Sequence, residues 1–435
     1  MDDRALAAAM IAYIEQNLTE PITSDDLAER AGYSPNRFRE KFYNVTGETP
    51  SGYLRKRRLT EAAKELLAGQ RPIDVAATYG YSSQDNFTTA FRSYFGVTPT
   101  ELGKVDVKYR RFVRKLREAF SIMEIANLKQ PPLHTTLMGC IKGASDFFDN
   151  DLSTPMLFGL SGHAFMININ VEMCPSAPYV WNHDRFFGLL DQIGIKREGE
   201  VARNKDTSPE EVKKLESQIR SALDDGKLCI LDYLEHQLVS GYDENGLTFL
   251  LPWDNTDAPI IKSLPFGTWE PCMENEGWVC MSIISRSQRT RTLTAAARDA
   301  LAFALSVFRD PQQLTIGPAD GSGPYRVGYK AYEAWLAAVD KGMGTAHGHW
   351  WSAMVWAECR HFAGAFFTEL SELLDSEEAR QKCEDLNATY MRIGDALQAV
   401  SNREMPAGEQ HAKLETALDG EHRAEEQIEE LVSMI

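Results

Sequence analysis

The sequence lacks any apolar run approaching the roughly 20 residues that a transmembrane helix needs. Its N-terminus, Met1-Asp2-Asp3-Arg4, does not have the pattern of a signal peptide. The seven cysteines are scattered along the chain without CxxC spacing, which argues against both a disulfide framework and a zinc site. These absences predict a cytoplasmic protein with reduced thiols and no membrane partner.

An excess of positive charge is also missing, since the formal net charge is −17 over 435 residues. The charge is unevenly distributed, however. Residues 1–118 hold 19 Lys and Arg against 16 Asp and Glu, whereas the remaining residues carry a net charge of −20. Only the first part therefore suits a polyanionic partner, and the acidic remainder favours cationic or neutral ones.

A motif with a period of about fifty residues occurs twice in the first part. The two copies are Gly32-Tyr33-Ser34, Phe38, Phe42, Gly47 and Thr49-Pro50, then Gly80-Tyr81-Ser82, Phe87, Phe91, Gly96 and Thr98-Pro99. Phenylalanines four residues apart mark the buried face of a helix, and a shorter helix is predicted before each pair, at residues 24–31 and 72–79. In the first of these, Ser24 is the expected N-cap. Two helices joined by a glycine-containing turn are typical of the helix-turn-helix motif.

The alternative is a pair of ordinary helical hairpins whose polar faces are merely solvated. A long helix is predicted over residues 50–68, and it carries the basic run Arg55-Lys56-Arg57-Arg58 between the two copies. Two motifs joined by a basic stripe fit successive turns of a DNA duplex, which favours the DNA-binding interpretation.

Residues 5–102 resemble the AraC/XylS family of transcription regulators. The matching residues are Arg58-Leu59, Ile73-Asp74-Val75-Ala76, Gly80-Tyr81-Ser82, Phe87, Phe91 and Phe95-Gly96-Val97-Thr98-Pro99. In that family one domain carries both helix-turn-helix motifs, which enter neighbouring major grooves of double-stranded DNA. The resemblance implies these base-facing residues: Asn36, Arg39 and Glu40 in the first motif, and Gln84, Asp85, Thr88 and Thr89 in the second. The predicted DNA-binding set also includes Arg37, Lys41 and Arg92 from the polar faces.

A second basic run follows the repeat. It consists of Lys108, Arg110, Arg111, Arg114, Lys115 and Arg117. Such a run is either a solvated helix face or a contact to phosphates that flank the DNA site.

Beyond residue 120 the pattern changes to mixed helices and strands. Helices are predicted at 135–148, 152–162, 185–193 and 209–225, and strands at 165–171, 228–232, 236–242, 247–252 and 279–284. Helices packed on a curved antiparallel sheet are the expected α+β arrangement.

This middle part resembles, more weakly, the papain-like fold of bacteriocin-processing (C39-type) peptidases and of the butirosin biosynthesis protein H family. The resembling segments are 152–162, 225–227 and 236–254. In such enzymes a Cys at the start of the first helix is the nucleophile, and a His followed by Asp or Asn activates it. The nucleophile position here is Thr136, while Cys140 lies one turn later as either a displaced nucleophile or a buried structural residue.

His236 and Asp254 remain at the positions of base and orienting residue, but they have no thiol to activate. We therefore predict a pseudoenzyme, a cleft that binds a ligand without chemistry; alternatively, His236 is only a hydrogen-bonded strand residue. The predicted ligand-binding residues are Thr136, Cys140, His163, His236, Trp253, Asp254 and Trp335.

The last part is predicted to be helical over 294–308, 328–338, 347–374, 376–399 and 408–433. His347 and His349 lie two residues apart, which is poor spacing for a helical metal pair, so neither a metal nor another cofactor is expected. Tryptophans at helical spacing belong to a core, or else line a pocket for an aromatic or cationic ligand beside acids such as Glu333 and Glu358.

The sequence thus predicts a multidomain protein. The expected domains are an all-α DNA-binding domain (1–104), a basic helical linker (105–130), a papain-like α+β domain (131–291) and a helical part that completes a sensor (292–435). The expected function is transcriptional regulation in response to a small molecule such as an antibiotic or natural product. RNA polymerase and a second copy of the chain are further candidate partners. The alternatives are a cysteine hydrolase or acyltransferase that uses Cys140, and a sensor of a protein partner.

Overall fold

The computed structural model describes residues 3–46, 48–67, 69–95, 97–102, 123–125, 127–253, 260–317 and 323–435. The chain divides into two compact units, Met1–Phe120 and Ser121–Ile435. The second basic run and most of the expected linker at 105–130 lie outside the described residues.

The described part of the first unit is helical. Its helices are α1 (Asp3–Gln16), α2 (Ser24–Arg30), α3 (Pro35–Thr46), α4 (Pro50–Leu67), α5 (Pro72–Thr78), α6 (Gln84–Phe95) and α7 (Pro99–Leu102). Helix α2 begins with a capping box in which Thr23 and Asp26 satisfy each other's backbone N–H groups, so the N-cap is Thr23 and the prediction of Ser24 was wrong.

Two small apolar cores hold the first unit together. Phe38 and Phe42 of α3 are buried in one core, and Phe87 and Phe91 of α6 are buried in the other. Helix α4 serves both, because its N-terminal half contributes Tyr53 and Leu54 to the first core while its C-terminal half contributes Leu59 and Leu66 to the second. The two copies of the repeat are therefore mounted on one shared helix.

The second unit contains an antiparallel sheet. Its strands and those of a small separate ladder are β1 (Met123–Glu124), β2 (Asn168–Asn170), β3 (Ile195–Asn204), β4 (Leu228–Asp232), β5 (His236–Tyr242), β6 (Gly246–Phe249), β7 (Ser263–Pro265), β8 (Trp278–Arg286) and β9 (Tyr325–Val327). Within the described residues the main sheet has the order β3-β8-β4-β5-β6-β7, with β1 paired to β5, and the ladder pairs β2 with β9.

Helices cover this sheet and extend beyond it. They are α8 (Thr136–Phe147), α9 (Thr154–Leu160), α10 (Asp184–Gln192), α11 (Pro209–Asp224), α12 (Cys272–Asn275), α13 (Leu293–Arg309), α14 (Tyr329–Asp340), α15 (His347–Ser371), α16 (Glu377–Val400) and α17 (Ala407–Met434). One apolar core runs from Ile141 of α8 through Phe366 of α15 to Leu414 of α17. The sequence-based boundary at residues 291 and 292 therefore separates two parts of a single core.

The helical first region, the mixed α/β middle and the helical last region are confirmed as the architecture of the chain. No helix among the described residues is both long enough and apolar enough to cross a membrane.

Candidate functional site

Each copy of the repeat forms a helix pair around a tight turn. Gly32 follows α2 with a φ of 73°, and Gly80 follows α5 with a φ of 75°. This left-handed conformation is costly for residues with a Cβ, which explains the glycine in both copies. The chain then enters α3 and α6, and the buried phenylalanines fix which face of each helix points away from the core.

The polar faces of α3 and α6 are exposed on the first unit. Of the predicted DNA-binding residues, the exposed ones are Asn36, Arg37, Arg39, Glu40, Gln84, Asp85, Thr89 and Arg92, while Lys41 and Thr88 are half-buried. The Lys41 ammonium lies 5.3 Å from the centre of the Tyr33 ring. Tyr43 is 53% exposed and continues the face of Asn36 and Glu40 by one turn, a position that the apolar pattern did not reveal.

Three of the four residues of the first basic run make contacts within the unit, whereas Arg55 is exposed. Arg57 forms ion pairs with Glu15 at 2.7 Å and Glu61 at 3.0 Å, so it fastens α4 to α1. Arg58 donates to the backbone oxygens of Leu18 and Glu20 in the segment after α1. Lys56 pairs with Glu48 at 2.7 Å. These three side chains stabilise the unit internally.

The second unit encloses a cavity of about 1130 Å³. Its lining residues come from strands β3, β4, β8 and β9, the β4–β5 turn, the start of α15, and the loops before α8, at 174–184, after β6, before β8 and before β9. They are His134, Cys174, Pro175, Ser176, Tyr179, Val180, Trp181, Asn182, His183, Asp184, Arg197, Glu200, Asp232, Tyr233, Leu234, Glu235, Trp253, Glu276, Trp278, Cys280, Thr315, Ile316, Tyr325, His347, Trp350 and Trp351. The wall is therefore unusually rich in indole rings and carboxylates.

Glu235 is the deeply buried carboxylate of this wall, with 6% of its surface exposed. Its Oε2 accepts hydrogen bonds from the Tyr179 hydroxyl at 2.6 Å and from the Thr136 hydroxyl at 2.8 Å. Tyr179 in turn accepts from the Trp351 indole at 3.0 Å. Burial raises the pKa of Glu235 to about 7, although both hydroxyl donors act in the opposite direction.

Tryptophan rings frame the same region. The Trp253 and Trp351 rings meet edge to face at 5.7 Å, and Trp350 lies 5.6 Å from Trp351. The Trp253 indole donates to the backbone oxygen of Leu133 at 3.1 Å, which fixes its orientation. Edge-to-face contacts of this kind hold aromatic rings at defined angles around the cavity.

The charge of the wall is mostly negative. Its described residues include five carboxylates and a single guanidinium, that of Arg197. Arg197 is paired with Asp184 at 2.7 Å and with Glu200 at 2.8 Å. Burial also lowers the pKa of His183 well below its ordinary value, so this imidazole is neutral at pH 7. The wall therefore keeps an unbalanced negative potential.

The structure separates the described members of the predicted ligand-binding set into two groups. Trp253 lines the cavity, and Thr136 and His236 lie directly behind it, where the His236 N–H donates to the Thr136 hydroxyl at 3.1 Å. Cys140 and His163 are buried in the core and outside the lining. The others are Trp335, whose indole donates to His349 at 2.9 Å in the helical core, and Asp254, which lies outside the described residues. Ser161 and Gly162, which precede His163, are likewise buried.

Sequence reasoning did not find Tyr179, Glu235 and the role of Trp351. Glu358, one of the acids proposed to face the tryptophans, instead accepts from the backbone N–H groups of His134 and Thr135 at 3.0 and 2.8 Å, just before α8. An available signal was the Leu234-Glu235-His236 sequence, since a glutamate beside a buried strand histidine is unusual for an interior position.

Thiol chemistry is disfavoured in the core. Burial raises the pKa of the Cys140 thiol well above its ordinary value, with a further contribution from Glu235. Cys359 lies 3.6 Å from Nδ1 of His163, but burial raises the pKa of this thiol to about 12 and lowers the pKa of His163 to about 3. The thiols of Cys140 and Cys359 and the imidazole of His163 are therefore neutral at pH 7, whereas a nucleophilic cysteine needs the thiolate.

Two helix-turn-helix motifs on one shared helix define the first unit as a double helix-turn-helix domain. Comparisons with known proteins agree with this classification. A helix-turn-helix domain family matches residues 27–104. The regulatory protein SoxS of Escherichia coli is 37% identical over 102 residues, which are 95% of SoxS and 23% of this chain. The transposon Tn10 TetD protein of the same species is 40% identical over 104 residues, 75% of its length and 23% of this chain. The chain belongs to the AraC-type helix-turn-helix family.

Other relatives are longer than the matched region. The right origin-binding protein of Escherichia coli is 37% identical over 100 residues, and this chain spans about a third of its length, 35%. A solved AraC-type regulator from Chromobacterium violaceum is 27% identical over 23% of this chain and 89% of that one. Its TM-score of 0.22 adds nothing to the sequence match.

Proposed function

We propose that this chain is a one-component transcription regulator. Its first unit binds promoter DNA through α3 and α6, and its second unit binds a small molecule that changes the affinity of the first for DNA. The observation that carries the proposal is the pair of exposed polar helices on one shared helix, in a region that matches SoxS over nearly its whole length.

The proposed base-reading residues follow from exposure and chemistry. Arg39, Asn36 and Gln84 are exposed on the outer faces of α3 and α6, and guanidinium and amide groups form bidentate contacts to guanine and adenine edges. The half-buried Lys41 suits a phosphate contact. Arg57 and Arg58 make contacts within the unit, so we propose that α3 and α6 supply most of the affinity for DNA.

The proposed sensor is the cavity of the second unit, which we interpret as the cleft of a lapsed papain-like domain. Support comes from the start of α8 lying against the strand that carries His236, the arrangement expected of helix nucleophile and strand base. Thr136 occupies the nucleophile position, and its hydroxyl donates to Glu235. With Cys140 buried and its thiol pKa raised, we propose that the cleft binds its ligand without catalysis.

A binding experiment tests the DNA part. The fragment of residues 1–120, which forms one of the two compact units, should shift a duplex from its own upstream region. The affinity should fall steeply between 50 and 200 mM salt, because phosphate contacts release counterions. A fragment without salt-sensitive, sequence-preferring binding would refute the regulator function.

Two substitutions sharpen that experiment. Arg39→Ala should cost about 1–3 kcal/mol and relax specificity at one base pair, whereas Lys41→Ala should weaken binding to all sequences alike. Glu20→Gln, an exposed change away from α3 and α6, serves as the control and should leave both properties unchanged. A uniform loss from Arg39→Ala would place this residue on a phosphate instead of a base.

A further inference from the structure

The acidic aromatic cavity of the second unit has one buried carboxylate with no cation beside it. Among the described residues, no Lys, Arg or His forms an ion pair with Glu235, although 94% of its surface is buried. Its recorded partners are the neutral hydroxyls of Tyr179 and Thr136, and both donate to Oε2. A buried carboxylate is normally paired or neutral, and this one lacks the cationic partner that would stabilise its ionised form.

The hydrogen bonds fix the orientation of this carboxylate, and each of them comes from a neutral donor. Trp351 donates to Tyr179, and Tyr179 donates to Glu235, so a chain of fixed donors ends on Oε2. Thr136 adds a second donor to the same oxygen while its own oxygen accepts from the His236 backbone. Oε1 takes no part in these contacts. This oxygen is therefore the acceptor that remains for a ligand.

The surrounding rings suit the body of such a ligand. Trp253, Trp350 and Trp351 present indole surfaces to the same cavity, and indole is the aromatic ring that attracts cations most strongly. The guanidinium of Arg197 in the wall is balanced by Asp184 and Glu200. Arg403 lies over the Trp350 ring, 5.3 Å from its centre, so the cation–π attraction for a ligand comes from Trp253 and Trp351. With a volume of about 1130 Å³, the cavity has room for a molecule of several rings.

We propose that the ligand of the cavity is an organic amine in its protonated form, whose ammonium group donates to Oε1 of Glu235 and whose aromatic body lies against Trp253, Trp350 and Trp351. The inference deepens the proposed sensor function, since it assigns the chemical class of the effector. It stands apart from DNA binding, because every residue that carries it belongs to the second unit.

Matched probes test the charge requirement on the full chain. Calorimetry should show that 1-naphthylmethylamine binds at least tenfold more tightly than 1-naphthylmethanol, which has the same ring system and no charge. The N,N,N-trimethylated amine separates two modes of recognition: weaker binding supports an N–H donated to Glu235, whereas equal or tighter binding overturns that donor and leaves cation–π attraction alone. Equal affinities for the amine and the alcohol would overturn the proposal.

Substitution of the carboxylate provides the second arm. Glu235→Gln keeps the size of the side chain and an oxygen that accepts from Tyr179 and Thr136, and it should remove the preference for the amine. Glu244→Gln removes the same charge from the exposed turn between β5 and β6, outside the cavity lining, and should retain the preference. Melting of each variant in the absence of ligand shows that it is folded. A preference that survives in Glu235→Gln would overturn the assignment.

The outcomes separate this inference from the proposed function. Amine binding that depends on Glu235, with no effect on binding to promoter DNA, would sustain the cation site and refute sensing. Failure of the first unit to bind DNA would refute the regulator function but would leave the cation site intact. Trp351→Phe provides an internal check, because it removes the donor to Tyr179 but keeps an aromatic ring. It should reduce the affinity for the amine more than the affinity for the alcohol.

Discussion

Glu235, the proposed ligand acceptor, has a buried carboxyl group whose ionisation is unfavourable in the folded state. Its pKa is raised to about 7 in the folded protein, against 4.5 for an ordinary glutamate, chiefly because of burial. The folded state therefore binds this proton more tightly than the unfolded state does. Its contribution to stability is fully present below pH 4.5 and is lost as the pH rises through about 7.

The first prediction at this scale is that Glu235→Gln stabilises the empty protein at pH 8. The wild type should lose about 3 kcal/mol from this group between pH 4.5 and pH 8, and the glutamine variant should not. Of the other groups that face Glu235, Tyr179 and Cys140 have raised pKa values and stay neutral throughout this window. The lowered pKa of His236 adds a pH dependence of opposite sign, which the wild type and the variant share.

Thermal melting of both proteins at pH 5 and pH 8 measures this effect. The difference in stability between Glu235→Gln and the wild type should grow in favour of the variant at the higher pH. A variant that is equally destabilised at both pH values would indicate that Glu235 is an ionised structural residue. That result would contradict the role of an uncompensated carboxylate in ligand binding.

At the scale of elements, a buried ion pair joins the C-terminal helices to the sheet side of the second unit. Arg360 of α15 and Glu421 of α17 are both fully buried and 2.6 Å apart. Arg360 also donates to the backbone oxygens of Ala164 and Met166 at 2.9 and 2.7 Å, just before β2. Tyr332 of α14 donates to Glu421 at 2.9 Å. Four segments thus meet at one charge pair.

We predict that Glu421→Gln destabilises the second unit by about 3–5 kcal/mol, because it leaves the Arg360 charge buried without its counter-ion. The double variant Arg360→Met, Glu421→Leu should recover much of that loss, since it removes both charges. Denaturant unfolding measures both changes. Glu377→Gln at the exposed pair with Arg380 is the control and should cost less than about 1 kcal/mol. Additive losses in the double variant would show that the two side chains are not coupled.

The sequence predicted most of the helices and strands whose own residues show a clear apolar periodicity. The strands at 228–232 and 236–242 were predicted at their observed bounds. Helices with apolar periodicity were also predicted closely, as with α11, which was expected at 209–225 and spans Pro209–Asp224. Strand β3 was missed, because half of the residues in Ile195–Asn204 are charged and the strand owes its conformation to pairing with β8. Local pattern cannot reveal a strand that is defined by its neighbour.

The cavity shows the same limit at the level of side chains. Trp253 and the Trp350-Trp351 pair stood out by composition, and the position of Thr136 beside His236 followed from the family resemblance. Tyr179 and Glu235 lie 56 residues apart in the chain, and only the fold brings their oxygens to 2.6 Å. Cys140, His163 and Trp335 were expected to bind the ligand, but all three are buried in the core. Their positions are determined by the packing of the fold.

At the scale of the whole molecule, the charge distribution is consistent with the proposed division between a DNA-binding unit and a ligand-binding unit. The net charge of −20 beyond residue 118 would repel DNA and attract cations, while the first part carries a small positive excess. A regulator built this way can respond to a ligand only if the ligand binds the DNA-bound and the free protein with different affinity. Such a difference is reciprocal by thermodynamic necessity.

The last prediction follows from that reciprocity. If 1-naphthylmethylamine changes the affinity of the full chain for its promoter duplex by some factor, then the duplex must change the affinity for the amine by the same factor, within a range of about 5 to 150. Calorimetric titration of the amine with and without saturating duplex measures one side of this relation, and a DNA titration with and without amine measures the other. The fragment of residues 121–435 should bind the amine with an affinity that duplex does not alter, because the DNA-binding unit is absent. Identical affinities of the full chain for the amine with and without duplex would show that the cavity and the DNA-binding helices α3 and α6 act independently. The effector would then have to act on something other than DNA binding.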